Sequence, residues 1–317
     1  MKRIVISVII LLICGIVSAD DSGACNDEKF RALVLQKFFT FESVSFNYKA
    51  ERKSSEWQRE TIEEGKLEFA GIDSYRNSRK EFVFTNYDTT SKIVNEAVIN
   101  GHLYNVTRGI DALTNQQSLV SNGLIDKHKH YAGVALILYD ILRTPFKMDL
   151  QNQSIKFAYV KTNETPFFVV RTKDNSSEMY FSPSSGLLMR MDFYKFGKTK
   201  DGSICFVSER FILDKYVQKN GFYFPTKITE MQFRLNSRTY LDEKPIGSIE
   251  AYGKKFLLIK GQSTETAEYD IDEKSLTFGT VKRSDLKITF PPGCLVRDNI
   301  EKKAYVIGAD GATLPSK

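Results

Sequence analysis

Histidine is the side chain best suited to acid–base and metal chemistry near neutral pH, and this sequence contains three histidines. His128 and His130 lie two positions apart near the start of a predicted helix, a spacing that does not place them on one helical face. His102 follows a predicted hairpin turn and is expected at the surface. Because no pair of imidazoles is brought together, we predict no metal site and no cofactor.

Glu60, Glu63 and Glu64 are the carboxylates whose spacing comes nearest to an acid pair, an arrangement that can divide general acid and general base roles. They lie on a strand-like segment, on which Glu60 and Glu63 point to opposite faces. A solvated strand face is the simpler interpretation. The sequence also contains no Gly-x-Ser-x-Gly, no His-Glu-x-x-His and no glycine-rich phosphate loop. We therefore expect a protein that is not an enzyme.

Residues 1–19 have the features of an export signal. A basic start is followed by an apolar run, which ends in a small-residue cleavage site after Ala19. The apolar run is short for a membrane span, and acidic residues follow it at once. We therefore predict a mature chain that begins after Ala19 and is located in the periplasm or secreted.

Attachment of a lipid to Cys14 or Cys25 is the alternative to simple export. A bulky residue precedes Cys14, whereas Cys25 follows small residues but lies beyond two charges. The mature cysteines Cys25, Cys205 and Cys294 are odd in number, so at most one disulfide forms and one thiol is left over. Three buried thiols are equally compatible with the sequence, and both arrangements stay open.

Composition places the mature chain among ordinary globular proteins, with 42% hydrophobic and 26% charged residues. The formal charge of +6 falls by two when Lys2 and Arg3 leave with the signal. Nucleic-acid binding needs a clustered basic surface, which this weak and dispersed charge does not provide. We predict a monomeric protein with no nucleic-acid partner.

The clearest structural signal is an alternating segment in the second half of the chain. Met189, Met191 and Phe193 alternate with polar residues, which is the period-two pattern of a strand with one buried face. Asn220-Gly221 separates two further alternating segments and is a strong hairpin signal, as is Asn100-Gly101 earlier in the chain. These patterns predict a mainly β protein with flanking helices, of the α+β class, built on long antiparallel strands.

Two helices are predicted to flank the sheet. The first runs from about Glu28 to Phe39 and has its apolar residues at helical spacing. The second, around residues 130–142, is apolar on most of its surface, which indicates a helix that is buried or covers something apolar. It is too short to cross a membrane. Leu136 and Tyr139 are taken as its inner stripe, and the helix is predicted to be a lid over an apolar cavity.

The C-terminal part of the sequence has weaker patterns. Residues 261–275 are polar and acidic and are interpreted as a surface excursion. Short strands are predicted at 286–290 and 303–307, and the tail at 308–317 is predicted to be loose. No linker or repeat is apparent, so residues 20–307 are predicted to form one domain with a C-terminal strand extension.

Three short motifs, Gly65-Lys66-Leu67, Ser74-Tyr75-Arg76 and Asn100-Gly101 with Tyr104, resemble the LolA/LolB-like superfamily, which comprises a periplasmic lipoprotein carrier and its outer-membrane receptor. Gly65-Lys66-Leu67 is similar to a motif on the second strand of the family's first hairpin. Ser74-Tyr75-Arg76 resembles the aromatic–arginine pair that follows, and Asn100-Gly101 with Tyr104 resembles a later hairpin. The order of helix, strands, apolar helix and strands is also similar, although this chain is longer.

The resemblance implies a strongly curved, unclosed antiparallel barrel whose concave apolar face holds acyl chains beneath a helical lid. The resemblance implies that Arg76 corresponds to the family's lid-locking arginine, with Arg79 as the alternative. Lipid or an acylated protein is the partner that the resemblance implies, as in lipoprotein transport. The residues expected to line the hydrophobic site are Leu67, Phe69, Tyr104, Leu136, Tyr139, Met189, Met191 and Phe193.

Two functions from different classes follow. The first is a hydrophobic-ligand binder of the cell envelope, which is carrier-like and holds an acyl chain, a lipid or a lipoprotein. The second is a structural or interaction protein, whose half-barrel is filled by its own side chains and whose edge strands pair with an envelope protein partner. Packing inside the half-barrel distinguishes the two, because only a binder needs unfilled room.

Overall fold

The structure, a computed structural model, describes residues 27–37, 41–71, 74–86, 88–110, 117–127, 157–162, 165–172, 176–199, 202–235 and 244–315. Within these residues it contains one α-helix, one short 3-10 helix and nineteen β-strands. The helix α1 spans Asp27–Lys37. None of the described helices has the length and apolar character needed to cross a bilayer.

The strand bounds follow the chain in order. The first nine strands are β1 Ser43–Ser54, β2 Arg59–Ala70, β3 Tyr75–Phe84, β4 Thr89–Ile99, β5 His102–Ile110, β6 Gln117–Lys127, β7 Ala158–Thr162, β8 Thr165–Arg171 and β9 Ser177–Phe181. The others are β10 Leu188–Thr199, β11 Gly202–Lys219, β12 Phe222–Arg234, β13 Gly247–Ala251, β14 Lys254–Leu258, β15 Gln262–Ile271, β16 Thr277–Phe278, β17 Leu295–Asp298, β18 Lys303–Ile307 and β19 Thr313–Pro315. The 3-10 helix Arg283–Leu286 lies between β16 and β17.

The strands form a single sheet whose spatial order differs from the chain order. From edge to edge it runs β7-β8-β9-β10-β11-β12-β15-β1-β2-β3-β4-β5-β6-β17-β18-β19. The β13–β14 hairpin joins β11 through a parallel pair, and β16 pairs with β1 beyond the end of β15. No pairing between described strands joins β7 to β19, so the sheet stays open. The predicted mainly β fold, an unclosed half-barrel with an N-terminal helix, is confirmed, although two pairings in the sheet, β11 with β14 and β6 with β17, are parallel.

Tight turns set the register of the long strands. Asn100 and Gly101 connect β4 to β5 with φ values of 52° and 75°. Asn220 and Gly221 connect β11 to β12 with φ values of 53° and 82°. Two consecutive left-handed residues define the turn type whose twist matches that of the flanking strands. Both Asn-Gly predictions are therefore confirmed.

Alternating burial divides the sheet into two faces. On β1, Val44, Phe46 and Tyr48 are buried in the main core, whereas Asn47 and Lys49 are exposed. We call the face that carries Val44 and Phe46 the inner face, and the opposite one the outer face. Directly paired residues of antiparallel strands lie on the same face, so the register extends this assignment across the sheet.

The main core lies between the inner face and α1. Phe30 and Val34 of α1 are buried in it, and the ring of Phe30 lies 4.3 Å from that of Phe168 on β8. Leu33 packs on Gly186, where an added Cβ would lie 2.7 Å from the Leu33 Cγ. Because residue 186 has no side chain, α1 can pack directly against this turn. The first predicted helix is confirmed over its described residues.

The interpretation of residues 261–275 as a surface excursion is wrong. These residues contain β15, which is a central strand between β1 and β12. Glu268 and Asp270 face outward, whereas Ala267, Tyr269 and Ile271 enter the main core. The polar composition outweighed a period-two pattern that places an apolar residue at every second position.

Three further differences concern the elements outside the long hairpins. The strand predicted at 286–290 is wrong, because Arg283–Leu286 is a 3-10 helix and residues 287–290 lie outside any strand. The strand β6 lies in a segment for which no element is predicted. Within the tail predicted to be loose, β19 pairs with β18. The prediction of a strand at 303–307 is confirmed by β18.

The described cysteines Cys205 and Cys294 are free and buried. Each belongs to a small apolar cluster of its own, separate from the main core. Burial, with the nearby charge of Glu178, raises the pKa of the Cys205 thiol to about 12. These two thiols therefore form no disulfide with each other, and Cys205 is protonated at neutral pH.

Several predictions concern residues outside the described part of the chain. They are the export signal, the alternative lipid attachment at Cys14 or Cys25, the histidines at 128 and 130, and the second helix with Leu136 and Tyr139. These stay predictions. His102 lies at the start of β5 and is half-buried.

Candidate functional site

Four of the predicted ligand-binding residues lie together on the inner face. Leu67 and Phe69 on β2 pair directly with inner-face residues of β1, and Met191 on β10 belongs to the same main core. All three side chains are fully buried. Phe193 is partly buried against this core, where its ring lies 5.9 Å from that of Phe211.

Tyr104 and Arg76 lie on the opposite, outer face. Ala97 on β4 pairs with Arg76 on β3 and with Tyr104 on β5, so the three share a face. Arg76 forms an ion pair with Glu68 and donates through Nη1 to the carbonyl oxygen of Asp285 at 2.8 Å. The sheet thus separates both residues from the inner-face group. Arg76 fastens the C-terminal segment to the sheet, and its lid-locking role stays a prediction.

Met189 leaves the inner-face alternation at a β-bulge. The pairing of β10 with β9 shifts between Leu188 and Arg190. A bulge inserts an extra residue into one strand and resets which side chains face inward. As a result Leu188 and Met191 both enter the main core, whereas Met189 is half-buried outside it. The structure therefore does not group Met189 with Met191.

The inner face has an apolar region in which aromatic rings contact one another across the strands. The rings of Phe46 on β1 and Phe224 on β12 lie 5.4 Å apart. Those of Phe69 and Tyr75 are stacked at 6.3 Å. We define the apolar region as Val44, Phe46, Leu67, Phe69, Val98, Met191, Phe211, Leu213, Phe224 and Ile228.

A charged region lies beside the apolar region on the same face, further along the strands. Ala50 on β1 pairs with Glu63 on β2, which pairs with Glu81 on β3, which pairs with Lys92 on β4. This register places the four side chains on the inner face in one row. We define the charged region as Arg52, Glu63, Arg79, Glu81, Lys92, Glu96, Glu230 and Glu265.

Arg52 holds the first ion cluster of the charged region. Its guanidinium forms an ion pair with Glu265, donates to the Tyr269 hydroxyl at 2.7 Å and lies 3.6 Å from Glu230. The Tyr269 hydroxyl in turn donates to Glu230 at 2.9 Å. Burial, together with the charge of Glu230, holds the pKa of Tyr269 well above its ordinary value. The hydroxyl therefore stays protonated, and a donor, at neutral pH.

Arg79 holds the second ion cluster. Its Nε donates to Glu81 at 2.7 Å, and its Nη1 lies 4.0 Å from Glu96. Glu81 also pairs with Lys92 at 2.9 Å, and Glu96 accepts from the Tyr75 hydroxyl at 2.5 Å. Burial alone would raise the pKa of Glu81, but Arg79 and Lys92 outweigh it and lower that pKa. Glu81 is therefore ionised and fully engaged.

Glu63 lies between the two ion clusters and is the least engaged member of the charged region. Its side chain is only 14% exposed, and the Nε of Arg79 is 3.9 Å away. No described residue donates a hydrogen bond to it. Burial raises the pKa of Glu63 against the opposing charges of Arg79 and Arg52. The expected solvated strand face is found for Glu60 and Glu64, which pair with lysines of β1, but not for Glu63.

Gly65 lies on the inner face at the centre of β2, where the neighbouring strands leave no room for a side chain. It pairs with Tyr48 of β1 and with Arg79 of β3. An added Cβ would lie 2.8 Å from the Arg79 Cβ, 3.0 Å from the Ser78 carbonyl oxygen and 3.0 Å from the Tyr48 Cε1. Without a side chain at 65, the Tyr48 ring lies across β2 and its hydroxyl donates to Asn77 at 3.0 Å. Close packing of Tyr48 and Arg79 thus explains why position 65 of the Gly-Lys-Leu motif is a glycine in this chain.

A second cluster of buried polar side chains lies on the outer face, and its carboxylates are satisfied by donors within the cluster. Glu178 accepts hydrogen bonds from Arg171 at 2.6 Å, from Tyr180 at 2.5 Å and from Tyr194 at 2.6 Å. Asp192 accepts from two arginines through both carboxylate oxygens. Since every carboxylate oxygen of the pair already has a described donor, this group is suited to holding strands together rather than to binding.

The charged region is the part of the candidate site that sequence reasoning missed. Arg52 continues the series Val44, Phe46, Tyr48 and Ala50 at every second position, so it falls on the buried face of β1. A charged residue at the next position of a buried alternating series is the signal that could have predicted a buried ion pair here. Its partners Glu230 and Glu265 lie on β12 and β15, and only the register brings them to Arg52.

No protein-family model matches the sequence, and no curated protein matches it. Comparison with solved structures does find matches. A LolA superfamily protein from Nitrosomonas europaea is 10% identical with a TM-score of 0.41, and the match covers 84% of this chain and 99% of that chain. A DUF1329 family protein from Desulfovibrio piger is 8% identical with a TM-score of 0.37, over 83% of this chain and 98% of that chain.

A third match is a chain of the MucA/MucB complex of Pseudomonas aeruginosa. It is 8% identical with a TM-score of 0.16, over 81% of this chain and 100% of that chain. The first of these matches is named for the superfamily that the sequence motifs resemble.

Proposed function

We propose that this protein is a non-catalytic binder of an amphiphilic acyl ligand in the cell envelope, with a carrier-like role. The observation that carries the proposal is the division of one inner face into an apolar region and a charged region. An acyl chain matches the first region and a polar headgroup matches the second. The open sheet supports this, because an unclosed barrel leaves a path to its interior along the unpaired edges.

The acyl chain of the ligand is the expected source of the binding energy. Burial of each methylene is worth about 0.8 kcal/mol, so a chain of about a dozen carbons supplies roughly 10 kcal/mol before the costs of association. At the low end of those costs, about 4 kcal/mol, roughly 6 kcal/mol is left, which corresponds to a dissociation constant of tens of micromolar. The predicted export signal supports the placement of this binder in the periplasm or outside the cell, where lipids and acylated proteins are its expected partners.

Two measurements test the proposal. Native mass spectrometry of protein purified from its own envelope is expected to show a bound lipid. A neutral fluorescent probe such as N-phenyl-1-naphthylamine is expected to bind and to be displaced by monolaurin. Recovery of bare polypeptide only, together with no probe binding, would contradict the proposal.

A matched pair of variants locates the ligand. Phe193 is half-buried at the edge of the main core, whereas Ile212 on the neighbouring strand is 40% exposed on the outer face. We expect Phe193→Ala to weaken probe binding several-fold and Ile212→Ala to leave it unchanged. Equal effects of the two substitutions would place the probe elsewhere on the surface.

One observation favours the second candidate function, a structural or interaction protein with a filled half-barrel. The apolar region is closely packed by described residues, since Phe46 and Phe224 are fully buried and their rings lie 5.4 Å apart. In that case the edges of β7 and β19 that pair with no described strand are the expected contact points for an envelope protein partner. Chemical crosslinking in intact envelopes, with the crosslinks mapped to β7 or β19 and no lipid bound, would favour this function over the first.

A further inference from the structure

We propose that the ligand carries a hydrogen-bond-donating headgroup without negative charge, a hydroxyl or an ammonium group, and that Glu63 enforces this choice. This inference rests on the proposed function. It names the class of headgroup that the charged region accepts, which the apolar region alone would leave open.

Glu63 is the carboxylate of the charged region that has no hydrogen-bond donor among the described residues. It lies on the inner face, since it pairs with Ala50 on one side and with Glu81 on the other. The nearest described cation, Arg79, is 3.9 Å away, beyond hydrogen-bonding distance. A buried carboxylate without a donor is costly, and a ligand hydroxyl or ammonium that donates to it removes that cost.

The arginines of the charged region are already committed to other partners. Arg52 is paired with Glu265 and the Tyr269 hydroxyl, and Arg79 donates to Glu81 at 2.7 Å. An anionic headgroup would have to break one of these pairs, which would leave a buried carboxylate without its cation. Breaking a buried pair in this way is strongly unfavourable.

The charge balance of the region also opposes an anion. It contains three cations, Arg52, Arg79 and Lys92, against five carboxylates, Glu63, Glu81, Glu96, Glu230 and Glu265, which leaves a formal charge of −2. The chain as a whole carries +6, so the inner face differs in sign from the protein around it. Fields of buried charges are weakly screened, so this local excess acts on the headgroup directly.

A series of ligands with one chain length tests the inference without any mutation. Monolaurin, dodecylamine and laurate present a hydroxyl, an ammonium and a carboxylate on comparable chains. At pH 8, we expect monolaurin and dodecylamine to displace the neutral probe at concentrations at least fivefold below that of laurate, a difference of about 1 kcal/mol. A ratio below fivefold for both would overturn the inference. If none of the three displaces the probe, the proposed function itself fails.

Two neighbouring carboxylates give a matched pair of variants. Glu63 faces inward and Glu64 faces outward, where it pairs with Lys49 at 2.6 Å. We expect Glu63→Gln to reduce the preference against laurate to about twofold or less, and Glu64→Gln to preserve it. A circular dichroism melt of each variant establishes that it is folded, and the wild-type series decides the question if Glu63→Gln is not. If folded Glu63→Gln disfavours laurate as strongly as the wild type does, Glu63 does not select the headgroup.

Discussion

Asp192 and Arg210 face each other directly across β10 and β11, and they form a two-point ion pair on the buried outer face. The Nε of Arg210 donates to one carboxylate oxygen at 2.7 Å and its Nη2 to the other at 2.9 Å. Arg190 donates to the same carboxylate, and its guanidinium stacks over the Tyr180 ring at 4.2 Å. One fully buried carboxylate thus connects two strands and an aromatic ring.

The first prediction is that Asp192→Asn lowers the free energy of unfolding by about 3 kcal/mol or more, because it leaves two buried guanidinium groups without their anion. Urea denaturation measures the difference. Asp270→Asn is the control, since Asp270 is exposed on β15, and we expect it to change stability by less than about 0.5 kcal/mol. Equal effects of the two substitutions would show that the ion pair contributes little.

The second prediction concerns the pH dependence of stability through Glu63. Burial raises the pKa of folded Glu63 above its ordinary value of 4.5. The folded state therefore binds this proton more tightly than the unfolded state, and the resulting stabilisation is present below the unfolded pKa and lost as pH rises through the folded pKa. We expect Glu63→Gln to flatten this part of the melting-temperature profile and to raise stability relative to wild type at pH 8. A wild-type advantage at pH 8 that exceeds the one at pH 4 would contradict this.

The third prediction is that Gly65→Ala destabilises the protein by about 1 to 3 kcal/mol, as overpacking in a closely packed interior does. The new Cβ would collide with backbone and ring atoms at 2.8 to 3.0 Å. Gly197→Ala on β10 is the control, because the nearest atom to its Cβ is 3.8 Å away. Thermal melts of both variants give the comparison. A milder effect at Gly65 than at Gly197 would mean that the Tyr48 ring moves freely.

The sequence predicts the long hairpins because the signals for them are local. Asn-Gly turns and period-two burial lie within a few residues of each other, and both hairpins are confirmed. The charged region has no local signal of this kind. In the sequence, Glu63 cannot be distinguished from its solvated neighbour Glu64. Only the register of β1, β2 and β3 places Glu63 on the inner face beside Arg79. Met189 is likewise displaced by a bulge that depends on its partner strand β9.

The fourth prediction separates a core aromatic residue from a surface one. Phe46 is fully buried in the apolar region, whereas Phe84 at the end of β3 is 37% exposed. We expect Phe46→Ala to cost about 3 to 5 kcal/mol of stability, because the substitution leaves a cavity that the main core closes only in part. Phe84→Ala is expected to cost less than about 1 kcal/mol. If Phe46→Ala costs as little as the control, the apolar region has room that a ligand normally fills.

The fifth prediction assigns Arg76 to the attachment of the C-terminal segment. The Nη1 of Arg76 donates to the Asp285 carbonyl oxygen at 2.8 Å. We expect Arg76→Gln to increase amide hydrogen exchange around residues 283–290 and to leave probe binding unchanged. Lys80→Gln is the control, since Lys80 is exposed on the same strand. Loss of ligand retention in Arg76→Gln, with exchange at 283–290 unchanged, would instead support the lid-locking role predicted from the family resemblance.

The position of β15 between β1 and β12 has a consequence for how the chain folds. Until residues 262–271 are available, β1 and β12 each have an unpaired edge, and the two halves of the sheet are not connected to each other. Pairing of strands so distant in sequence is slow, and exposed edges favour aggregation while it is incomplete. If the protein is exported as predicted, its polypeptide has to be kept from pairing wrongly until nearly all of it has crossed the membrane. Because the two halves of the sheet join only after β15 is available, we expect folding to depend on periplasmic chaperones.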